Sequence, residues 1–180
     1  MKSKLVEFSQ YLAHEIEDDE KGFEYVSNIL PNIGLIVMFF NTLESDLDSI
    51  LCENFTDRTD SPGLIVLNKL NYSSKVDLLK RFCDDLQISI GKSLNGYDQI
   101  ITNLNECGRL RNLVVHANWD STDEKGYTFT KIKLSKQGMK QEYIQFTEDS
   151  MNKIIDLIIE TRTALYEFWE HRNDVLYRRV

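Results

Sequence analysis

The chain has 180 residues, a mass of 21.1 kDa, and 42% hydrophobic against 28% charged residues. That is enough to bury the core of one domain and too apolar for a wholly disordered chain. Its 29 acidic and 21 basic residues give a net charge of −8, which excludes a surface that holds nucleic acid over its whole extent and leaves room only for a local basic site.

Cys52, Cys83 and Cys107 are odd in number and widely spaced, each within an apolar periodic segment. They read as small buried hydrophobes in a reducing compartment, not as a disulfide framework. No CxxC or Cys/His cluster is present, and His14, His116 and His171 lie far apart, so neither zinc nor another cofactor is expected. The N-terminus lacks a signal-peptide core, and the longest apolar run, Ile33 to Phe40, falls short of the roughly 20 residues that span a bilayer. The expectation is a cytoplasmic protein without a membrane partner.

In chain order, Leu5, Phe8, Leu12 and Ile16 recur at three- and four-residue steps, which predicts a first amphipathic helix before the acidic run Glu15 to Glu20 and a turn at Gly22. After Pro31, positions Ile33, Ile36, Val37, Phe40, Leu43, Leu47, Ile50 and Leu51 predict a long helix ending near Phe55. Thr56 to Gly63 reads as a loop, with Ser61-Pro62 as cap and first residue of a short helix that Asn71 interrupts. Ser73 or Ser74 caps the next helix, whose apolar face is Val76, Leu79, Phe82, Cys83 and Leu86. Gly91 and Gly96 mark a loop, and Tyr97 to Val115 another core-facing helix, ending where His116-Ala117-Asn118-Trp119 meets a polar loop. Alternation from Tyr127 to Leu134, a turn at Ser135 to Gly138, and Met139 to Phe146 predict one β-hairpin over about residues 126–146. Thr147 caps a final helix over about 148–172, with Glu148 and Asp149 in its first turn. The predicted fold is one mainly α domain over 1–180, a four- to five-helix bundle with one β-hairpin inserted before the last helix.

Wound at 100° per residue, the helix before His116 places Asn105, Arg109, Asn112 and His116 on one polar stripe. Arg111 falls among Ile100, Leu104, Cys107 and Val114 on the apolar face, where a guanidinium needs a carboxylate, a phosphate or a solvent-filled cleft. Glu44 and Asp46 are candidate partners.

The run Arg111-Asn112-Leu113-Val114-Val115-His116, late in a helix of a helical protein, resembles the Arg-Asn-x-x-x-His signature of the HEPN superfamily. Phe40-Asn41-Thr42-Leu43-Glu44 and Tyr72-Ser73-Ser74-Lys75-Val76-Asp77-Leu78-Leu79 are similar to segments that precede it, so the resemblance covers about residues 30 to 120. It implies a HEPN-like helical bundle and, as in many members, a metal-independent endoribonuclease of the toxin or antiviral type. Two protomers of a homodimer then bring their motifs into a shared cleft, with RNA as substrate and an antitoxin protein as a further partner. It carries Arg111, Asn112 and His116 over as catalytic residues. An imidazole can take the 2′-hydroxyl proton or protonate the departing 5′-oxygen, and a guanidinium can stabilise the phosphorane. Arg111 and His116 stand about 140° apart on the wheel, so a second protomer's histidine would complete the acid–base pair.

Around this site Arg109, Lys131 and Lys133 are candidates for RNA backbone contact, and Trp119, with Tyr127 and Phe129, for base stacking. Edge protection is the competing reading of the hairpin lysines, which include Lys136 and Lys140, and packing that of the aromatics. The alternative function is a non-catalytic interaction or RNA-binding module in which Arg111 forms a structural ion pair with Glu44 and His116 is a helix-terminal histidine favoured by the dipole. No GxSxG, Walker A, GxGxxG or HExxH motif is present.

Overall fold

The computed structural model describes residues 1–8, 19–55, 59–136 and 138–177. In chain order these form β1 (Lys2–Glu7), α1 (Asp19–Cys52), α2 (Ser61–Leu67), α3 (Tyr72–Ile90), α4 (Tyr97–Val115), β2 (Asn118–Thr122), β3 (Tyr127–Ser135), β4 (Gly138–Gln145) and α5 (Glu148–Tyr177). The strands make one antiparallel sheet in the order β1-β4-β3-β2. This corrects the predicted bundle with a single hairpin: the chain is helix-rich but carries a four-stranded sheet.

The two extra strands were hidden for different reasons. Leu5 has helical spacing to Phe8, yet it lies in β1, whose six residues pair with β4 from Lys2↔Gln145 to Glu7↔Lys140. The Phe8 N–H extends that ladder to the Met139 carbonyl at 3.0 Å. A partner more than 130 residues away in the chain decides the conformation there, and local periodicity does not see it. Leu12, His14 and Ile16, the rest of the predicted first helix, lie outside the described residues. Asn118–Thr122 has loop-like composition but pairs with β3 across a bulge.

Among the helices, α1 begins at Asp19 and runs through Gly22 and Pro31, where a turn and a later helix start were predicted. Proline removes one intrahelical bond, but Ile29, Ile36, Phe40, Leu43 and Leu47 continue one buried stripe on both sides of it. Glu20–Cys52 is long and apolar enough to cross a bilayer, with a mean hydropathy of 1.5 in its most apolar window. Ser61 is the first residue of α2 and Asp60 its N-cap. Asn71 does not merely interrupt: it is the N-cap of α3, its side chain accepting the Ser74 N–H at 2.9 Å. Thr147 caps α5 as expected, in a reciprocal pair with Ser150 at 2.9 and 3.2 Å. α5 continues to Tyr177, five residues past its predicted end.

The residues divide into two compact units, each with its own core. The first joins Met1–Val37 to Leu110–Ile155 and contains the sheet. Its interior includes Tyr143, Phe146, Met151 and Ile154, with Trp119 packed on Phe146 at a centroid distance of 5.0 Å. The β2–β3 turn is closed by the Asp123 side chain, which accepts the N–H groups of Lys125 and Tyr127 at 3.0 and 2.9 Å. Gly126 ends that turn at φ 79°, against the ring of Tyr25, whose hydroxyl donates to the Phe146 carbonyl at 2.5 Å. Burial and the nearby Asp123 carboxylate raise the Tyr25 pKa, keeping the phenol a donor. A Cβ at Gly126 would overlap Cζ and Oη of that ring. Gly126→Ala is therefore expected to cost about 2–4 kcal/mol, from left-handed strain plus overpacking. Urea unfolding checks this, and a loss under about 1 kcal/mol would show that the Tyr25 contact yields freely.

The second unit joins Met38–Arg109 to Asp156–Val180. Leu43, Leu47, Leu51, Leu79, Leu104, Ile158 and Leu165 fill it. Tyr72 packs on Phe40 with the rings tilted and their centroids 4.6 Å apart, donates to the Leu104 carbonyl at 3.0 Å, and lies so close to Gly108 that a Cβ there would stand 2.8 Å from its ring. Arg162 pairs with Asp46 at 2.5 Å, and Trp169 donates to Glu53 at 2.7 Å.

Candidate functional site

α4 carries the Arg-Asn-x-x-x-His segment. It is helical because Ile100, Leu104, Cys107, Leu110 and Val114 recur at helical spacing, and all five are buried. Asn105, Arg109, Asn112 and His116 are all exposed, so the polar stripe expected from the wheel faces solvent. The helix ends at Val115, but the His116 N–H still donates to the Asn112 carbonyl at 3.0 Å. That i to i−4 bond keeps helical register to the last residue of the motif, so Arg111 and His116 stay about 140° apart around the axis.

Arg111 is half-buried, and its Nη1 donates to Asn112 Oδ1 at 3.0 Å. The bond ties the guanidinium to the residue beside it that faces solvent. Trp119 is brought back onto the end of the same helix: its indole N–H donates to the Val114 carbonyl at 3.0 Å, satisfying one of the acceptors that a helix C-terminus leaves open. With its ring on Phe146, Trp119 fixes where α4 stops and hence where His116 sits.

Lys131 and Lys133 project from the same face of β3, and both meet Glu142 on β4, at 3.6 and 2.5 Å. Glu142 is buried while the two lysines are exposed, so one desolvated carboxylate holds both ammonium groups. Arg109 forms a bidentate pair with Glu106, both bonds 2.7 Å, which raises the Arg109 pKa and lowers that of Glu106 through the side-chain hydrogen bonds. Glu44, proposed as an Arg111 partner, accepts a bond from Lys75 at 2.8 Å. Glu142 and Lys75 were not singled out by sequence. The signal for Glu142 was one acidic residue in a strand facing two lysines at i and i+2 of the next.

The three cysteines are free and buried, as expected. Burial pushes the thiols of Cys83 and Cys107 up to about 11, and Cys107 lies 3.4 Å from the Thr161 hydroxyl. Neither is poised as a thiolate nucleophile. Among the described residues no group of three or more His, Cys, Asp and Glu side chains gathers as metal ligands. His171 is exposed on α5.

The chain matches no family model, no curated protein and no solved structure.

Proposed function

We propose that this chain is a HEPN-like, metal-independent endoribonuclease of the toxin or antiviral type, acting as a cytoplasmic homodimer. The observation that carries the reading is the end of α4, where Asn112 and His116 face solvent and the Arg111 guanidinium is hydrogen-bonded to Asn112. His116 is the proton acceptor or donor. As the ribose 2′-oxygen attacks phosphorus, the bond to the 5′-oxygen breaks, leaving a 2′,3′-cyclic phosphate and a 5′-hydroxyl. Arg111 stabilises the extra negative charge of the phosphorane. Because the helical register separates Arg111 from His116, the partner's copy of the histidine supplies the second proton-transfer group.

RNA phosphates would compete with Glu142 for Lys131 and Lys133, and with Glu106 for Arg109, so these residues contribute adjustable contacts instead of a fixed anion site. A dimer is supported by Phe23 and Leu30, which stand 76 and 58% exposed on α1, apolar surface that an interface would cover. An antitoxin protein is the further partner in this reading.

The test is cleavage of end-labelled RNA in EDTA by wild type, His116→Ala and Arg111→Ala, each shown to be folded. Cleavage by wild type that both variants lose supports the assignment. No cleavage of varied RNAs by a stable wild-type dimer would replace it with the interaction module, in which Arg111 and His116 are structural.

A further inference from the structure

The sheet of the first unit has two edges, and they differ. β2 is five residues long and meets β3 across a bulge, an ordinary means of blunting an edge. β1 pairs with β4 over six residues without a register shift, contains no proline, and exposes every residue from Lys2 to Glu7. Among the described residues no strand lies on its other side. A lysine on such an edge usually guards it, but the Lys4 ammonium lies inward over the rings of Tyr127 and Tyr143, 5.6 and 5.9 Å from their centroids.

Hydrogen bonds at the ends of the sheet fix which backbone groups of β1 point outward. In an antiparallel pair, opposite residues alternate between exchanging both hydrogen bonds and exchanging none. Phe8 stands opposite Met139 as the next step of the β1–β4 register, and its N–H donates to the Met139 carbonyl at 3.0 Å. Val6, Lys4 and Lys2 therefore exchange bonds with Gln141, Tyr143 and Gln145. The Phe146 N–H donates to the Gly126 carbonyl at 3.0 Å, which turns the even-numbered residues of β4 towards β3 and agrees with that phase. The N–H and C=O groups of Ser3, Leu5 and Glu7 thus face away from β4, a row of donors and acceptors that a further strand can pair.

An antiparallel partner must set outward residues opposite outward residues. For a second β1 related by a two-fold axis, the two axes that keep most of the strand paired pass through Lys4 or through Leu5. The first opposes Lys4 to Lys4 of the partner subunit, like charges face to face. The second sets Leu5 against Leu5 of the partner subunit, Ser3 against the partner's Glu7 and Lys4 against the partner's Val6, with no like charges opposed.

We infer that β1 is a self-association edge, pairing antiparallel with β1 of a second copy about a two-fold axis through Leu5 and joining the two sheets into one. The edge is short against the roughly 800 Å² per partner of a standard interface, so the association is weak and depends on concentration. The inference goes beyond the ribonuclease reading. β1 and β2 are opposite edges of the sheet and His116 lies just before β2, so with strands about 4.8 Å apart this contact holds the two histidines roughly 30 Å from each other. It is a second two-fold contact beside the one a shared cleft requires, and it links such dimers into larger assemblies.

The experiment measures residue-resolved amide hydrogen exchange and sedimentation equilibrium of the full chain from about 10 μM to about 1 mM. The amides of Lys4 and Val6, bonded to β4, are expected to be protected throughout, whereas those of Ser3, Leu5 and Glu7 exchange freely when dilute and gain protection together as the mass rises. Leu5→Pro removes an outward donor and leaves the β1–β4 bonds in place. It should weaken the association at least roughly tenfold, with Lys4 and Val6 still protected. Leu5→Lys keeps the N–H but opposes like charges at the axis, and it should weaken the association as well; it carries the test if β1 detaches in the proline variant. A mass that stays constant over this range would overturn the inference. So would Ser3, Leu5 and Glu7 amides that are protected at every concentration or at none, or unchanged association of a variant in which Lys4 and Val6 remain protected. RNA cleavage enters none of these readouts, so either reading can fail without the other.

Discussion

Lys75→Met is expected to lower the unfolding free energy by about 3–5 kcal/mol, the usual effect of removing one partner from a buried ion pair. Methionine fills nearly the same volume, so the loss is not one of packing. It arises because Glu44 and Asp48 are left facing each other around an apolar side chain, each partly withdrawn from water at 29 and 24% side-chain exposure. Adding Glu44→Gln and Asp48→Asn should recover most of the loss, since amides are far cheaper to desolvate than unpaired carboxylates. The pH dependence has a definite sign. Burial pulls the Lys75 pKa down, but the hydrogen bonds its ammonium donates to Asp48 and Glu44 outweigh it and hold it above its ordinary 10.5. A raised folded-state value means the stabilisation is complete below the unfolded pKa and is lost as pH rises through the folded one. The gap between wild type and Lys75→Met should therefore be constant near neutrality and close in strongly alkaline solution. Urea midpoints across pH, at unchanged denaturant slope, check both points. A loss under about 1 kcal/mol would show that the triad behaves as an ordinary surface pair.

What the sequence made legible follows from the range of the interactions involved. α3 and α4 could be read because their apolar positions recur every three to four residues, and Val76, Leu79, Cys83, Leu104, Cys107 and Val114 are all buried. The β3–β4 hairpin could be read because alternation runs into a turn at Gly138, whose φ of 117° suits glycine. β1 was not legible, since KSKLVE has no alternation and all six residues are exposed, while Leu5 shares a helical spacing with Phe8, so the strand is set by pairing with β4 more than 130 residues away. α1 runs through Pro31, where a helix start is expected, because one lost hydrogen bond weighs less than a buried stripe that continues past it. At the candidate site, the solvent-facing stripe from Asn105 to His116 follows from helical geometry alone. The partners of its neighbours do not: Trp119 closing α4 through Val114, and Glu142 collecting Lys131 and Lys133, depend on strands whose register only the folded chain defines. The Lys75 ion pairs are of the same kind, because Asp48 and Lys75 are 27 residues apart and carry no motif.

His116→Ala is expected to reduce RNA cleavage about 100- to 10,000-fold, the range over which a positioned proton-transfer group contributes, while leaving stability within about 0.5 kcal/mol, as for most exposed substitutions. The two readouts separate because the His116 side chain is exposed, whereas its backbone N–H, which closes the last turn on Asn112, survives in alanine. Arg111→Ala should lose activity similarly but also lose stability, because that side chain is half-buried and bonded to Asn112. It is therefore the weaker test on its own. Mixing distinguishes a shared cleft from two independent sites. If each cleft needs both histidines, equimolar His116→Ala protein, after subunit exchange in a two-fold dimer, should lower the activity per wild-type protomer by roughly half, since mixed dimers are silent. Activity per wild-type protomer that does not change on mixing would mean that one protomer's His116 suffices. A folded His116→Ala protein that cleaves as fast as wild type would remove the histidine, and with it the ribonuclease assignment, from the end of α4.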